Sequence, residues 1–235
     1  KIRKRIRHIL WLVIAANLFY LLWDMIYLAL TGENVTDWLM EVFHWKKILV
    51  FLLFNETPLR GHLWFLGALL YCYVVLFLMA GKEKTGFLKV GALLLLAGNL
   101  LLGEVATALG HNLQIPYVRN WLFCGLPFFF LGYLLKAQKT GSGKEEPIRI
   151  SQRVLCCIMA VCAITGILEA WLIPDAELYL STMLLAITAF VYVTGKDTRT
   201  ERTGKTTEKW LAFIDANASL IYILQVAVIK SIQLG

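Results

Sequence analysis

The chain has 235 residues, 59% of them hydrophobic and 17% charged, and a net charge of +7. A soluble domain carries about 25% charged residues, so a surface this apolar cannot be wetted throughout, and a soluble globular protein is excluded. No metal-ligand spacing, phosphate-binding glycine loop or Ser/His/Asp set stands in the sequence, which removes the common soluble-enzyme chemistries and points to no metal cofactor and no nucleic-acid partner.

In chain order, KIRKRIR (1–7) places five cations before the first apolar run. The chain begins at Lys1 inside this cluster rather than at a methionine, so it is expected to be a piece of a longer protein. Residues 9–30 predict the first transmembrane span. Asn17 and Asp24, seven apart, share one helical face there, and Asp24 falls near the outer end, serving either a helix interface or a functional role. KKILVFLLFN (46–55) is too short to cross a hydrocarbon layer of about 30 Å and is expected to be re-entrant or interfacial.

HLWFLGALLYCYVVLFLMAG (62–81) carries no formal charge and has the length of a span. His62 and Trp64 open it: either a wetted helix end with a headgroup anchor, or, with Arg60, a polar and aromatic group facing an extracytoplasmic sugar. Further spans are predicted at 86–105, 120–136, 154–173, 177–194 and 210–232, making seven. Asn99 is expected to bond a neighbouring helix, and Glu104 and Glu169 to be solvated caps. In the last span, Asp215, Ser219 and Tyr222 follow an i, i+4, i+7 spacing with Gln225 one turn on, a polar stripe that either lines a cavity or joins helices. Unpaired backbone is costly in lipid and no alternation with period two appears, so the fold class is all-α: a polytopic transmembrane helical bundle in a lipid bilayer.

Lys and Arg stay in cytoplasmic loops, and 18 of the 23 lie in 1–7, 82–89, 136–153 and 195–209. This puts the N-terminus inside and the C-terminus outside, opposite to a seven-helix receptor. The polar linkers 136–153 and 195–209 read as solvated loops. Cys72, Cys124, Cys156, Cys157 and Cys162 all fall within apolar helices and are expected to be small buried hydrophobes. Arg3, Lys4, Arg5 and Arg7 mark topology, and their forked guanidinium groups also suit the phosphates of a coenzyme.

Four segments, in order, resemble the acyltransferase 3 family of bacterial membrane enzymes: KIRKRIRHIL, GHLWFLGALLYCYVV, RNWLFCGLPFFFLGYLL (Arg119 to Leu135) and ASLIYILQVAVI. The resemblance implies a single integral-membrane domain over 1–235, incomplete at both ends. Seven helices of a ten-helix bundle would be here, with two preceding and one following. It implies transfer of an acyl group, usually acetyl, from cytoplasmic acyl-coenzyme A to a hydroxyl of an extracytoplasmic glycan or similar acceptor, in the bacterial cytoplasmic membrane. Arg3, Lys4, Arg5 and Arg7 would bind the coenzyme. His62, Trp64, Arg119, Asn120, Asp215, Ser219 and Tyr222 would line the acceptor side. The family's catalytic histidine, a general base on the acceptor hydroxyl, is expected before Lys1, so this stretch alone is expected not to be catalytic. Gln225 and Val226 replace the family's late histidine-proline pair. The chain is also similar to the membrane module of serine/alanine racemases, which implies serine uptake instead of transfer.

Overall fold

The structure, a computed structural model, describes residues 2–79, 85–111, 113, 115–139, 150–174, 176, 178–196 and 222–224. The chain divides into two units, 1–192 and 193–235. Of the second, 193–196 end a helix and 222–224 are helical. The stripe of Asp215, Ser219 and Gln225, and most of the predicted span 210–232, lie outside the described residues.

Helix α1 (Ile2–Thr31) starts seven residues before the expected span. Its basic prefix contains only good or moderate helix formers and no Gly or Pro to stop it. It ends at Gly32, where φ is 77° and the Glu33 amide bonds the Leu28 carbonyl at 3.0 Å, a left-handed glycine cap. Ile9, Val13, Ala16, Tyr20, Asp24 and Leu28 are buried at steps of three and four, while Leu18, Leu22, Ile26 and Leu30 are exposed along the other side. Both faces are apolar, as a helix between protein and lipid can be. Asp24 alone puts a formal charge on the buried stripe.

Two short helices follow. Asn34 caps α2 (Val35–Val42), and the His44 ring caps α3 (Trp45–Phe54). At about 1.5 Å per residue α3 is roughly 15 Å long, half a hydrocarbon layer, so it does not cross by itself. A 3₁₀ turn (Gly61–Leu63) then leads into α4 (Trp64–Leu78). Helix α5 (Thr85–Leu100) continues through a π-helical turn (Leu101–Val105) into α6 (Ala106–Ala108). Helix α7 (Ile115–Val118) precedes a second π-helical turn (Trp121–Gly125) and α8 (Leu126–Lys139). Pro127 accounts for the wide turn, since it has no N–H to continue the ladder back to Phe123. Helices α9 (Gln152–Leu172) and α10 (Leu180–Lys196) follow.

Among the described residues five helices are long and apolar enough to cross a membrane: Ile2–Thr31, Gly61–Leu78, Gly86–Ala108, Ile115–Leu135 and Gln152–Leu172. The sixth expected span is shorter than predicted, with apolar helix over Leu180–Val193. Helices α4, α5 and α8 share a core of Cys72, Leu88, Ala92, Leu126, Phe130 and Leu134. Small residues let these helices approach closely. A Cβ on Gly125 would stand 3.2 Å from Ala68 Cβ, and one on Gly98 would stand 3.0 Å from the Phe123 ring.

Two readings of the sequence are corrected. Glu104 and Glu169 are not solvated caps of their own helices: Glu104 Oε2 accepts from the Leu180 amide at 2.8 Å, and Glu169 Oε2 accepts from the Ser181 amide at 3.1 Å and from the Ser181 hydroxyl. Together they satisfy the first two amide donors of α10. Of the five cysteines, Cys72 and Cys162 are buried and Cys124 is half-buried, but Cys156 and Cys157 are exposed. In a membrane an apolar residue has no need to hide. Asn99, as expected, bonds across helices, donating to the Val118 carbonyl at 3.1 Å.

Candidate functional site

Helix α1 runs antiparallel to α4. Arg3 lies 5.1 Å over the Phe77 ring, and Arg5 donates to the Tyr73 hydroxyl at 3.0 Å near the end of α4. Tyr20 and Asp24 meet His62 and Arg60 at its start. Along α1, Arg3 and Asp24 are separated by roughly 30 Å at about 1.5 Å per residue, the thickness of a hydrocarbon layer. Two clusters therefore occupy opposite ends of the same helix pair.

The first cluster is the cationic one. Arg3, Lys4, Arg5 and Arg7 are all exposed, and α1's helical rotation divides them. Arg3 and Arg5 reach round to the aromatic side chains of α4, while Lys4 and Arg7 project from the side opposite the buried Ile9 and Val13. A guanidinium laid over an aromatic face keeps its N–H edges for a planar or tetrahedral anion.

The second cluster is built from three chain segments. From α1 come Tyr20, fully buried, and Asp24, 7% exposed. From the connection into α4 and its first residue come Glu56, Arg60, His62 and Trp64, and between α7 and the second π turn stands Arg119. Arg60 forms an ion pair with Asp24 and lies 5.4 Å over the Tyr20 ring. Its backbone is held by Thr57, whose hydroxyl accepts from the Arg60 amide at 3.3 Å and donates to the Arg60 carbonyl. The Tyr20 and His62 rings meet edge to face at 5.4 Å. Arg119 stands 5.8 Å over Trp64, and a Cβ on Gly61 would be 4.0 Å from its Nη2.

Charge is balanced here: two guanidinium groups and two carboxylates, as a site of reduced dielectric requires. Burial pushes the Glu56 carboxyl above its usual range, and the positive field of Arg119 pulls it partly back. Buried charges, aromatic ring faces and an imidazole thus gather at one helix mouth, apolar faces beside polar groups, as in small-molecule sites.

Of the acceptor-side residues expected from sequence, the structure brings His62, Trp64 and Arg119 together. Asn120, 1% exposed, does other work. Its Oδ1 accepts from the Leu122 and Phe123 amides, both at 2.9 Å, and its Nδ2 donates to the Pro116 and Tyr117 carbonyls at 2.9 and 3.0 Å. All four hydrogen-bonding positions of the amide are used on backbone, so it fixes the turn that carries Arg119. Tyr222 is half-buried and helical within the second unit. Asp215 and Ser219 lie outside the described residues.

Sequence reading missed Tyr20, Glu56 and Asn55. The signal for Asn55 was present: FNETP (54–58) puts Asn just past an apolar run with Pro three residues on, a helix-stop pattern.

Five membrane-length helices among the described residues mark a multi-pass membrane protein, and polar clusters stand at both ends of one of its helix pairs. The chain belongs to the acyltransferase 3 family, whose model, an acyltransferase domain, matches residues 1–234. It is thus a membrane acyltransferase. No curated protein and no solved structure matches it.

Proposed function

We propose that the protein transfers an acyl group, acetyl, from acyl-coenzyme A on the cytoplasmic side to a hydroxyl of an extracytoplasmic glycan, in the cytoplasmic membrane of a bacterium. The observation that carries this reading is the pair of chemically different clusters roughly 30 Å apart along α1. One is cationic and exposed, suited to the phosphates of a coenzyme. The other is charge-balanced and aromatic, suited to a sugar.

In the transfer, the acceptor hydroxyl oxygen attacks the thioester carbonyl. The ester C–O bond forms, the C–S bond breaks, and the hydroxyl proton ends on the departing thiolate, so donor and acceptor become coenzyme A and an O-acyl ester. Arg3 and Arg5 hold the coenzyme's phosphates, with Lys4 and Arg7 adding to the local positive potential. His62 and Arg119 orient the acceptor against Trp64 and Tyr20, so that part of the entropic cost of the encounter is met in binding.

A hydrogen bond to a charged group is worth about 1.5–3 kcal/mol. The double change Arg3→Gln/Arg5→Gln should therefore weaken acetyl-coenzyme A binding about tenfold or more in protein held in lipid nanodiscs, with insertion unchanged. Lys4→Gln/Arg7→Gln, on the other side of α1, should weaken it less. Unchanged affinity in the first variant rejects the clamp. Uptake of labelled serine by vesicles, in place of acetyl transfer, would assign the protein to the transport role of the racemase-associated modules.

A further inference from the structure

We propose that Asn55 is a positioning residue for the acceptor side, an amide joint that holds the His62–Trp64 turn against the turn carrying Arg119; the assignment of a reaction to this joint rests on the acyl-transfer reading above.

Asn55 ends α3 in the left-handed conformation, φ 57° and ψ 18°, the one such non-glycine residue among those described. Asn is among the few side chains that tolerate that backbone, and here it is 0% exposed. Its Nδ2 donates to the Trp64 carbonyl at 2.6 Å, and its Oδ1 accepts from the Trp121 amide at 2.7 Å. One planar amide thus bridges a residue two beyond His62 and a residue two beyond Arg119. No sequence-local interaction joins those segments.

The neighbours fix the joint further. A Cβ on Gly67 would come within 3.0 Å of Asn55 Cβ, so the glycine allows α3 to end flush against α4. The final carbonyls of α3 are also taken up by the surrounding elements. The Phe51 carbonyl accepts from the Asn55 amide at 2.9 Å, that of Leu52 from the Tyr71 hydroxyl at 2.6 Å, and that of Leu53 from Trp121 Nε1 at 2.8 Å. Trp121 is therefore gripped twice, by backbone and by side chain. The short helix that cannot cross the membrane acts as a wedge, with Asn55 at its tip aligning the two turns.

Two substitutions separate alignment from folding. Asn55→Gly keeps the left-handed backbone and loses both side-chain bonds. Asn55→Asp keeps an oxygen for the Trp121 amide, but it can donate to the Trp64 carbonyl only when protonated. In membranes supplied with labelled acetyl-coenzyme A and isolated envelope polysaccharide, Asn55→Gly should lose about tenfold or more in transfer while the KM for acetyl-coenzyme A stays unchanged. Asn55→Asp should transfer poorly at alkaline pH and recover toward wild type as pH falls. Independently of turnover, cysteines introduced by Gly61→Cys and Arg119→Cys should be joined readily by a short dithiol-reactive linker in the Asn55 background and several-fold more slowly with Asn55→Gly, judged against the chain without the two new cysteines.

If Asn55→Gly leaves both cross-linking and transfer intact, the proposal is overturned. It is also overturned if the Asn55→Asp variant tracks wild type at every pH. If the full-length wild-type protein transfers no acetyl but the cross-linking difference holds, the joint stands and the acyl-transfer reading fails.

Discussion

Replacing Arg60 by Met alone should destabilise the membrane-embedded protein by about 3–5 kcal/mol, the cost of stranding one member of a buried ion pair. The carboxyl of Asp24, 7% exposed on α1, would lose the guanidinium that compensates its charge, and Tyr20 would lose the cation over its ring. The double change Asp24→Leu/Arg60→Met should recover most of that loss, because it removes both charges from the low-dielectric end of the helix pair and fills the space with apolar volume. Unfolding in detergent, followed by loss of helical signal with increasing denaturant, reads the cycle. If the two single losses simply add in the double variant, Asp24 and Arg60 do not act as a pair. The cause of the effect is the solvent: a carboxylate near the mouth of a soluble helix would turn to water, but here the α1–α4 contact holds it inside.

The second large effect is functional. In the full-length protein His62→Ala should reduce acetyl transfer about a hundredfold, the scale of losing the orientation of the acceptor hydroxyl. Acetyl-coenzyme A affinity and membrane insertion should stay as they are. His62 sits in the 3₁₀ turn that opens α4, edge to face with Tyr20 and two residues before Trp64, over whose ring Arg119 stands. Loss of the imidazole leaves the Asp24–Arg60 pair and the Asn55 joint in place, so the fold should survive. O-acetyl ester content of the envelope polysaccharide in cells at normal expression measures the effect, and full acetylation would reduce His62 to the end of a helix.

Five of the seven expected spans were legible because a bilayer demands long uncharged helices and such runs stand out in the chain; the sixth is a shorter apolar helix, and most of the seventh lies outside the described residues. The boundaries were less so. Nothing in KIRKRIR breaks a helix, so α1 begins before its apolar part, and the sequence run 120–136 conceals a capped turn at Asn120 and a proline-widened π turn after it. At the candidate site, His62, Trp64 and Arg119 could be named from residue type and family resemblance. The pairings around them could not: Asp24 and Arg60 lie 36 residues apart, and Asn55 and Trp121 lie 66 apart. No periodicity in one segment reveals which partner the fold brings to it. Glu104 and Glu169 show the same limit. Each looks like a hydrated helix end, and each instead completes the first turn of α10, a partner that only tertiary packing supplies.

The claim on which the rest depends is that donor and acceptor are served at opposite faces of one helix pair. The direct test uses protein reconstituted with a single orientation in sealed vesicles, with labelled acetyl-coenzyme A supplied only on the face bearing Arg3 and Arg5 and polysaccharide only on the face bearing His62 and Arg119. The account predicts label esterified to the polysaccharide across the intact bilayer, and none when the two reagents exchange sides. Equal labelling in both arrangements, or labelling only when both reagents share a face, would contradict it.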